Sequence, residues 1–153
     1  MPKAYVGLGS NLGDREATIR AALAELDAAE GLDVIAVSTL VDTAPVGYTD
    51  QPRFLNGAAA LESRLSPREL LGLLLAVEAR FGRDRALHPA WGPRTLDLDL
   101  LLYGEARIHE PGLEIPHPRL HERAFVLGPL AELDPALEVP GKGSIQTLLA
   151  GLH

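Results

Sequence analysis

The chain has 153 residues, with 14 basic against 21 acidic side chains (net charge −7), 46% hydrophobic and 5% aromatic residues, and no cysteine. One compact domain spanning 1–153 is expected, and its length lets it bury roughly two-thirds of its unfolded surface without a metal or disulfide staple. The composition excludes a disordered, coiled-coil or collagen-like chain, and the missing cysteines exclude disulfides, thiolate metal sites and a cysteine nucleophile. The acidic balance argues against a general nucleic-acid or anionic-membrane binder. With no signal-peptide pattern and no apolar run longer than residues 70–77, a soluble cytoplasmic protein is expected.

In chain order, Ala4–Leu8 is a short apolar run with the composition of a strand, stopped by Gly7 and Gly9. From Asp14 the period changes, with Ile19, Leu23 and Leu26 at i, i+4 and i+7, predicting a helix over 14–29 capped by Asp14 and ended by Gly31. Val34–Val41 is β-branched and reads as a strand. The turn-rich segment 43–52 that follows is long enough to be functional. Phe54–Glu62 reads as a central strand, placing Phe54, Asn56, Ala58 and Ala60 on one face and Leu55, Ala59 and Leu61 on the other. Ser66-Pro67-Arg68-Glu69 is a capping box with proline at the first helical position. The helix it opens runs to Phe81, with Leu70, Leu74, Val77 and Phe81 on its core stripe and Gly82 as its stop. A loop, 83–94, leads into a strand over Leu96–Tyr103. Beyond Gly104 the chain is proline-rich, with a short helix around Ala124–Leu133. The order predicts an α+β fold: a ferredoxin-like βαββαβ antiparallel sheet with helices packed on one face, and a C-terminal extension. The other sheet face is left free for a site.

Asp97 and Asp99 carry the sharpest chemical signal. Two apart in a strand, they point to one face roughly 7 Å apart, while Leu96, Leu98 and Leu100 point into the core. Aspartate is depleted in strands and like charges repel, so such a pair fits hard cations such as Mg²⁺, whose shell is completed by water and phosphate oxygens. Seven of the basic residues, all arginine (80, 83, 85, 94, 107, 119 and 123), lie within 80–123, where seven acids balance them. Arginines gathered in an acidic protein point to a local anion site, against the alternative of a solvated loop. Arg83, Arg85 and Arg94 flank the aspartates, which together describe a polyphosphate site. Phe54 beside Asn56 offers an apolar plate next to an amide, suited to a flat heteroaromatic ring. Trp91 packs in the core or folds over a ligand. Gly7–Gly13 has G-x-G-x-x-x-G spacing, with no parallel βαβ unit and no G-K-[ST], so a tight turn into the helix is the better reading than a dinucleotide or P-loop site. His117 and His121 stand at i, i+4, but Pro116 and Pro118 spoil a helix there, which argues against zinc. His117 and Arg123 read as polar contacts to an anion.

Together these pieces resemble the 6-hydroxymethyl-7,8-dihydropterin pyrophosphokinase family of folate biosynthesis. The matching stretches are Gly9–Asp14, Thr43–Pro45, Asp50–Asn56, Gly82-Arg83, Trp91–Asp99, Pro116–Arg119 and Arg123–Phe125. The resemblance covers about residue 4 to about 135, and its 91–99 block is highly specific. It implies transfer of pyrophosphate from the co-substrate ATP to the pterin hydroxymethyl group, releasing AMP. Asp97 and Asp99 would be the ligands of two Mg²⁺ ions. Arg83, Arg85, Arg94, His117 and Arg123 would contact phosphate and nucleotide, with Arg83, Arg94, Asp97 and Asp99 carrying the catalysis. Phe54 and Phe125 would sandwich the pterin, Asn56 and Thr43 would hydrogen-bond it, and Pro45 and Val46 would border the same ring. Trp91 would close over the site. Glu78 matches an acidic position whose role the resemblance leaves open. Ala86 stands where members carry lysine, Pro118 where some carry tyrosine, and Leu75 at a position that can be glutamine. A monomer acting on small molecules is expected. The readings of another class are a non-catalytic ferredoxin-like ligand-binding module and a Mg²⁺-dependent phosphohydrolase.

Overall fold

The protein's computed structural model describes residues 2–11, 14–43, 54–81 and 96–152. Strand β1, Lys3–Ser10, runs through both Gly7 and Gly9 rather than ending at them. Helix α1 covers Arg15–Ala28, and the Asp14 carboxylate accepts the Ala17 N–H at 3.0 Å, satisfying one of the orphan donors of the first turn. The stretch read as one strand over 34–41 is two strands, β2 (Leu32–Val37) and β3 (Val41–Thr43). Between them three residues, 38–40, face two on the partner strand. The Ser38 hydroxyl takes the Ala58 N–H at 2.9 Å, and Leu40 fills the space over Gly57 that a side chain would otherwise occupy. Strand β4 is Phe54–Ser63 and helix α2 is Pro67–Arg80. The capping box is complete: Glu69 N–H donates to Ser66 Oγ at 3.1 Å and Ser66 N–H to Glu69 Oε1 at 2.8 Å. Strand β5 is Asp97–Tyr103.

The sheet order is β2-β4-β1-β5, with β3 also on β4, and every neighbouring pair is antiparallel. Its first face packs on α1 and α2: Val6, Leu8, Leu61, Leu98 and Leu100 meet Ile19, Leu26, Leu70, Leu74 and Val77, all buried. The expected inward leucines of β5 are therefore in the core.

The C-terminal part is more ordered than its proline content predicts. Hairpin β6 (Ile108–Glu110) and β7 (Leu113–Ile115) leads to a 3₁₀ turn at Leu120–Glu122 and to helix α3, Ala124–Leu133. A second hairpin, β8 (Glu138–Val139) and β9 (Gly143–Ser144), precedes α4, Ile145–Ala150. Leu127 and Leu130 of α3, with Ile145 and Val139, pack on Tyr5, Ala58, Ala60, Leu101 and Leu102. The second sheet face is thus not wholly free. One end is a second core; among the described residues, the end carrying Gly9, Asn56 and Asp97 stays open.

A β-bulge makes this division possible. Tyr5 pairs with Leu102 and Val6 with Leu100, so Leu101 is an extra residue in β5. The shift turns both Leu101 and Leu102 to the face that Asp97 and Asp99 occupy further along the strand. One strand therefore serves the first core, the second core and the site. Among the described residues, no helix is long and apolar enough to cross a membrane.

Candidate active site

Asp97 and Asp99 stand opposite Gly9 and Gly7 on β1, and these glycines stand opposite Asn56 and Ala58 on β4. Period-two alternation puts all six on one face. Because β1 contributes no side chain here, its backbone forms a bare floor between the aspartates on one side and Asn56 on the other. The closeness is measurable: a Cβ on Gly9 would lie 3.1 Å from Asn56 Oδ1 and 3.9 Å from both Asp97 Cβ and a Phe54 ring carbon. The Asn56 amide nitrogen donates to Thr43 Oγ1, which orients the amide oxygen over Gly9 and leaves the threonine hydroxyl proton for another acceptor.

Over this floor lies a cleft of about 210 Å³ bordered by Thr43, Phe54, Asn56, Asp97, Asp99 and, from the start of α3, Arg123 and Phe125. The Arg123 guanidinium sits 5.7 Å from the Phe125 ring centroid, close enough for a cation–π contact that holds the charge at the rim. Two half-buried phenyl rings, an oriented amide and hydroxyl, a carboxylate pair and a guanidinium thus converge from β3, β4, β5 and α3.

A second cleft, of about 360 Å³, opens along the outer edge of β5 and shares Asp99 with the first. It is walled by Leu71, Leu75 and Glu78 of α2 and by His117. An edge strand offers unpaired backbone groups, and both neighbours of this cleft satisfy them. Glu78, 3% exposed, accepts the Leu98 N–H at 2.6 Å, and the His117 N–H donates to the Leu101 carbonyl at 2.9 Å. Glu78 therefore holds the residue between the two aspartates.

His117 is half-buried, and the pKa of its imidazole is lowered first by desolvation, then by Arg123 and Arg119, against the opposing pull of Asp99 and Glu114. Its Nδ1 accepts the Arg119 N–H at 3.2 Å, so the neutral ring carries its proton on Nε2. His117 is thus a neutral donor in the second cleft. His121 pairs with Glu122 at 3.8 Å, and among the described residues no group of three or more His, Asp or Glu gathers to hold a metal. The aspartate pair supplies carboxylate oxygens on one open face, a donor set that suits Mg²⁺ with water and phosphate completing its shell.

Of the residues singled out from sequence, the structure brings Thr43, Phe54, Asn56, Asp97, Asp99, Arg123 and Phe125 to one cleft, and His117 to the adjoining one. Pro45, Val46, Arg83, Arg85, Trp91 and Arg94 lie outside the described residues. Sequence reasoning missed the floor glycines and singled out Glu78 without a role. The i, i+2 spacing of Gly7 and Gly9 matches that of the aspartates, but that match has meaning only once the strands are known to be neighbours; the legible signal for Glu78 is its place four residues after Leu74 on the buried stripe.

The chain matches the family model of 7,8-dihydro-6-hydroxymethylpterin-pyrophosphokinase over residues 5–135. It is 47% identical over 148 residues to the 2-amino-4-hydroxy-6-hydroxymethyldihydropteridine pyrophosphokinase of Pseudomonas aeruginosa, covering 97% of this chain and 90% of that one. The enzyme of the same name from Bacillus subtilis is 48% identical over 130 residues, covering 85% and 77%. Among solved structures, the fold resembles an HPPK-DHPS in complex with substrates, with TM-score 0.76 at 12% identity, covering 98% of this chain and 43% of that one. It likewise resembles wild-type Plasmodium falciparum HPPK-DHPS with pteroate, with TM-score 0.74 at 14% identity, covering 98% and 42%. This chain spans under half the length of those two, and at such identities the likeness concerns the fold. The described parts of the stretches that carry the resemblance supply Gly9, Thr43, Phe54, Asn56, Asp97 and Asp99 to the cleft, the non-catalytic module is not favoured, and the chain belongs to the 7,8-dihydro-6-hydroxymethylpterin-pyrophosphokinase family.

Proposed function

We propose that this protein transfers pyrophosphate from ATP to the hydroxymethyl group of 6-hydroxymethyl-7,8-dihydropterin, releasing AMP, in folate biosynthesis. The observation that carries this reading is the cleft itself. Its glycine floor, two phenyl rings and oriented Asn56–Thr43 pair suit a planar pterin, and its carboxylate pair faces the same space. The second cleft, joined through Asp99 and bordered by the His117 donor, suits the nucleotide. The strand order β2-β4-β1-β5 supports a ferredoxin-like core followed by a C-terminal extension; the reading includes one domain acting as a monomer in the cytoplasm.

The chemistry needs little covalent work from the protein. The pterin hydroxyl attacks the β-phosphorus in line, the bond to the α-phosphate oxygen breaks, and AMP leaves; catalysis is positioning and charge neutralisation. Asp97 and Asp99 would hold two Mg²⁺ ions, which supply charge neutralisation on the phosphate oxygens when bound. Phe54 and Phe125 hold the ring flat, while Asn56 and Thr43 fix its rotation about the stacking axis. Arg123 and the His117 Nε2–H offer donors to phosphate oxygens. In this reading Arg83, Arg85 and Arg94 add further phosphate contacts, Trp91 covers the bound substrates, and Pro45 and Val46 complete the ring's border.

The test is incubation with ATP, Mg²⁺ and the pterin alcohol, with nucleotide products resolved. AMP should form only when the pterin is present; ADP, free phosphate or no product would overturn the assignment. Asp97→Ala and Asp99→Ala should each fold and lose turnover by roughly 10²-fold or more, the scale of losing one preorganised electrostatic contact. Near-normal rates in both would remove the metal assignment.

A further inference from the structure

Eight arginines lie within the described residues, and six of them are paired with carboxylates: Arg15 with Asp42, Arg20 with Glu16, Arg64 with Asp33, Arg68 with Glu110, Arg80 with Glu25 and Arg119 with Glu122. In a chain of net charge −7, an arginine without an acid is the exception. The two exceptions are Arg123, at the rim of the substrate cleft, and Arg107. Arg107 also lines a cleft, of about 350 Å³, on the C-terminal part of the molecule; it shares no residue with the substrate cleft and meets the second cleft at Glu114 and Pro118.

The Arg107 cleft lies between hairpins β6-β7 and β8-β9, which bring Arg107 and Lys142 to the same concavity. Lys142, like Arg107, makes no ion pair among the described residues. The guanidinium plane is held against Gly141, where a Cβ would lie only 2.8 Å from Nη2; Gly141 has φ +77°, a conformation other residues rarely adopt. The exposed arginine therefore lies against backbone, and its fork of N–H donors stays available to a ligand. Pro116, Pro118 and Pro140 give the remaining walls little freedom to collapse onto it. The one carboxylate in the cleft, Glu114, is engaged by His109 at 3.2 Å.

We propose that the Arg107–Lys142 cleft is a second anion site, binding a small phosphate dianion or pyrophosphate independently of the substrate cleft. A forked guanidinium and a mobile ammonium at one concavity match the phosphate group, with Arg107 bidentate and Lys142 as a point charge. No base or ring is required, because no phenylalanine, tyrosine or tryptophan lines the cleft.

The test uses the intact protein labelled with ¹⁵N and titrated with inorganic pyrophosphate at physiological ionic strength, where weak surface pairing is screened. The amides of Gly141, Lys142 and Gly143 should shift saturably. Arg107→Gln should weaken that response by about tenfold or more, the scale of a lost charge-assisted contact. Arg123→Gln should leave it intact, which separates this site from binding in the substrate cleft. Unshifted amides at millimolar pyrophosphate, an unchanged response in Arg107→Gln, or its loss in Arg123→Gln would each overturn the assignment. So would a shift produced by ADP and not by pyrophosphate.

Discussion

At Gly7 and Gly9 a missing side chain does the positioning. Glycine within a strand normally weakens it, through lost packing and a larger entropy of the unfolded chain. On β1 the absence of Cβ atoms opens the floor between the aspartates and Asn56. Gly9→Ala would set its methyl 3.1 Å from Asn56 Oδ1, forcing the amide off Thr43. Overpacking of about 1–3 kcal/mol predicts a roughly tenfold rise in the pterin Kd by calorimetry. Gly7→Ala meets only ordinary contacts, the nearest at 3.5 Å from Leu101. It should keep or raise Tm, because it stiffens the unfolded chain, and perturb pterin binding less than Gly9→Ala does. The reverse order would contradict the geometry. These two residues also mark what sequence could not decide. A glycine that ends a strand and one whose emptiness is needed within a strand look alike until the neighbouring strands are known. Asp97, Asp99, Phe54 and Asn56, by contrast, were legible, because strand alternation is a local property that packing did not override.

His117 yields a pH prediction. Its pKa is lowered chiefly by desolvation, so the folded protein binds its proton less readily than the unfolded chain does. Stability contributed by this residue is then present above the ordinary imidazole value, and falls as pH drops from there through the folded pKa. In the protein free of metal and nucleotide, an NMR titration should place the His117 midpoint below 6.5, with the Nε2-protonated tautomer above it. A midpoint above 6.5 would contradict the burial account.

Among elements, the contact between α2 and β5 bears most directly on function. Glu78 is a buried acid on a helix whose other inward residues are apolar, and it accepts the N–H of Leu98, between the two aspartates. Its role here is positioning, through the acceptor oxygen. Glu78→Gln keeps an acceptor and should preserve stability, whereas Glu78→Leu leaves the Leu98 N–H buried without one and should cost about 1–3 kcal/mol. Denaturant unfolding separates them, and equal losses would point to the charge instead. In Glu78→Leu, turnover should fall further than substrate affinity, since a loosened β5 misplaces the aspartates without touching the ring. Helices α1 and α2 were readable from periodicity and caps alone. The split between β2 and β3 was not, because it follows from Leu40 filling the space over Gly57 on a different strand.

At the scale of the whole molecule, the sheet is covered on both faces, by α1 and α2 on one and by α3 with α4 over half of the other. Sequence order alone left the second face open, because nothing local says where a proline-rich segment returns. Packing α3 there has a functional result: its N-terminal residues, Arg123 and Phe125, reach the cleft while Leu127 and Leu130 anchor it. Leu127→Ala should therefore destabilise the fold by about 2–5 kcal/mol by thermal or chemical unfolding. It should also weaken pterin binding, although Leu127 does not line the cleft. Lost stability with unchanged pterin affinity would show that the two halves of this face are independent.

The bulge at Leu101 has a consequence for how the chain finds its register. Strand side chains alternate with a period of two, so a slip of one residue exchanges the two faces of β5. A slipped strand would drive Asp97 and Asp99 among the leucines beneath α1 and α2, where an uncompensated carboxylate is strongly disfavoured. The two carboxylates that equip the cleft therefore also reject the wrong pairing while the sheet assembles, and the extra residue lets apolar Leu101 and Leu102 share their face without violating that rule. Fidelity of folding and capacity for catalysis are written in the same pair of side chains.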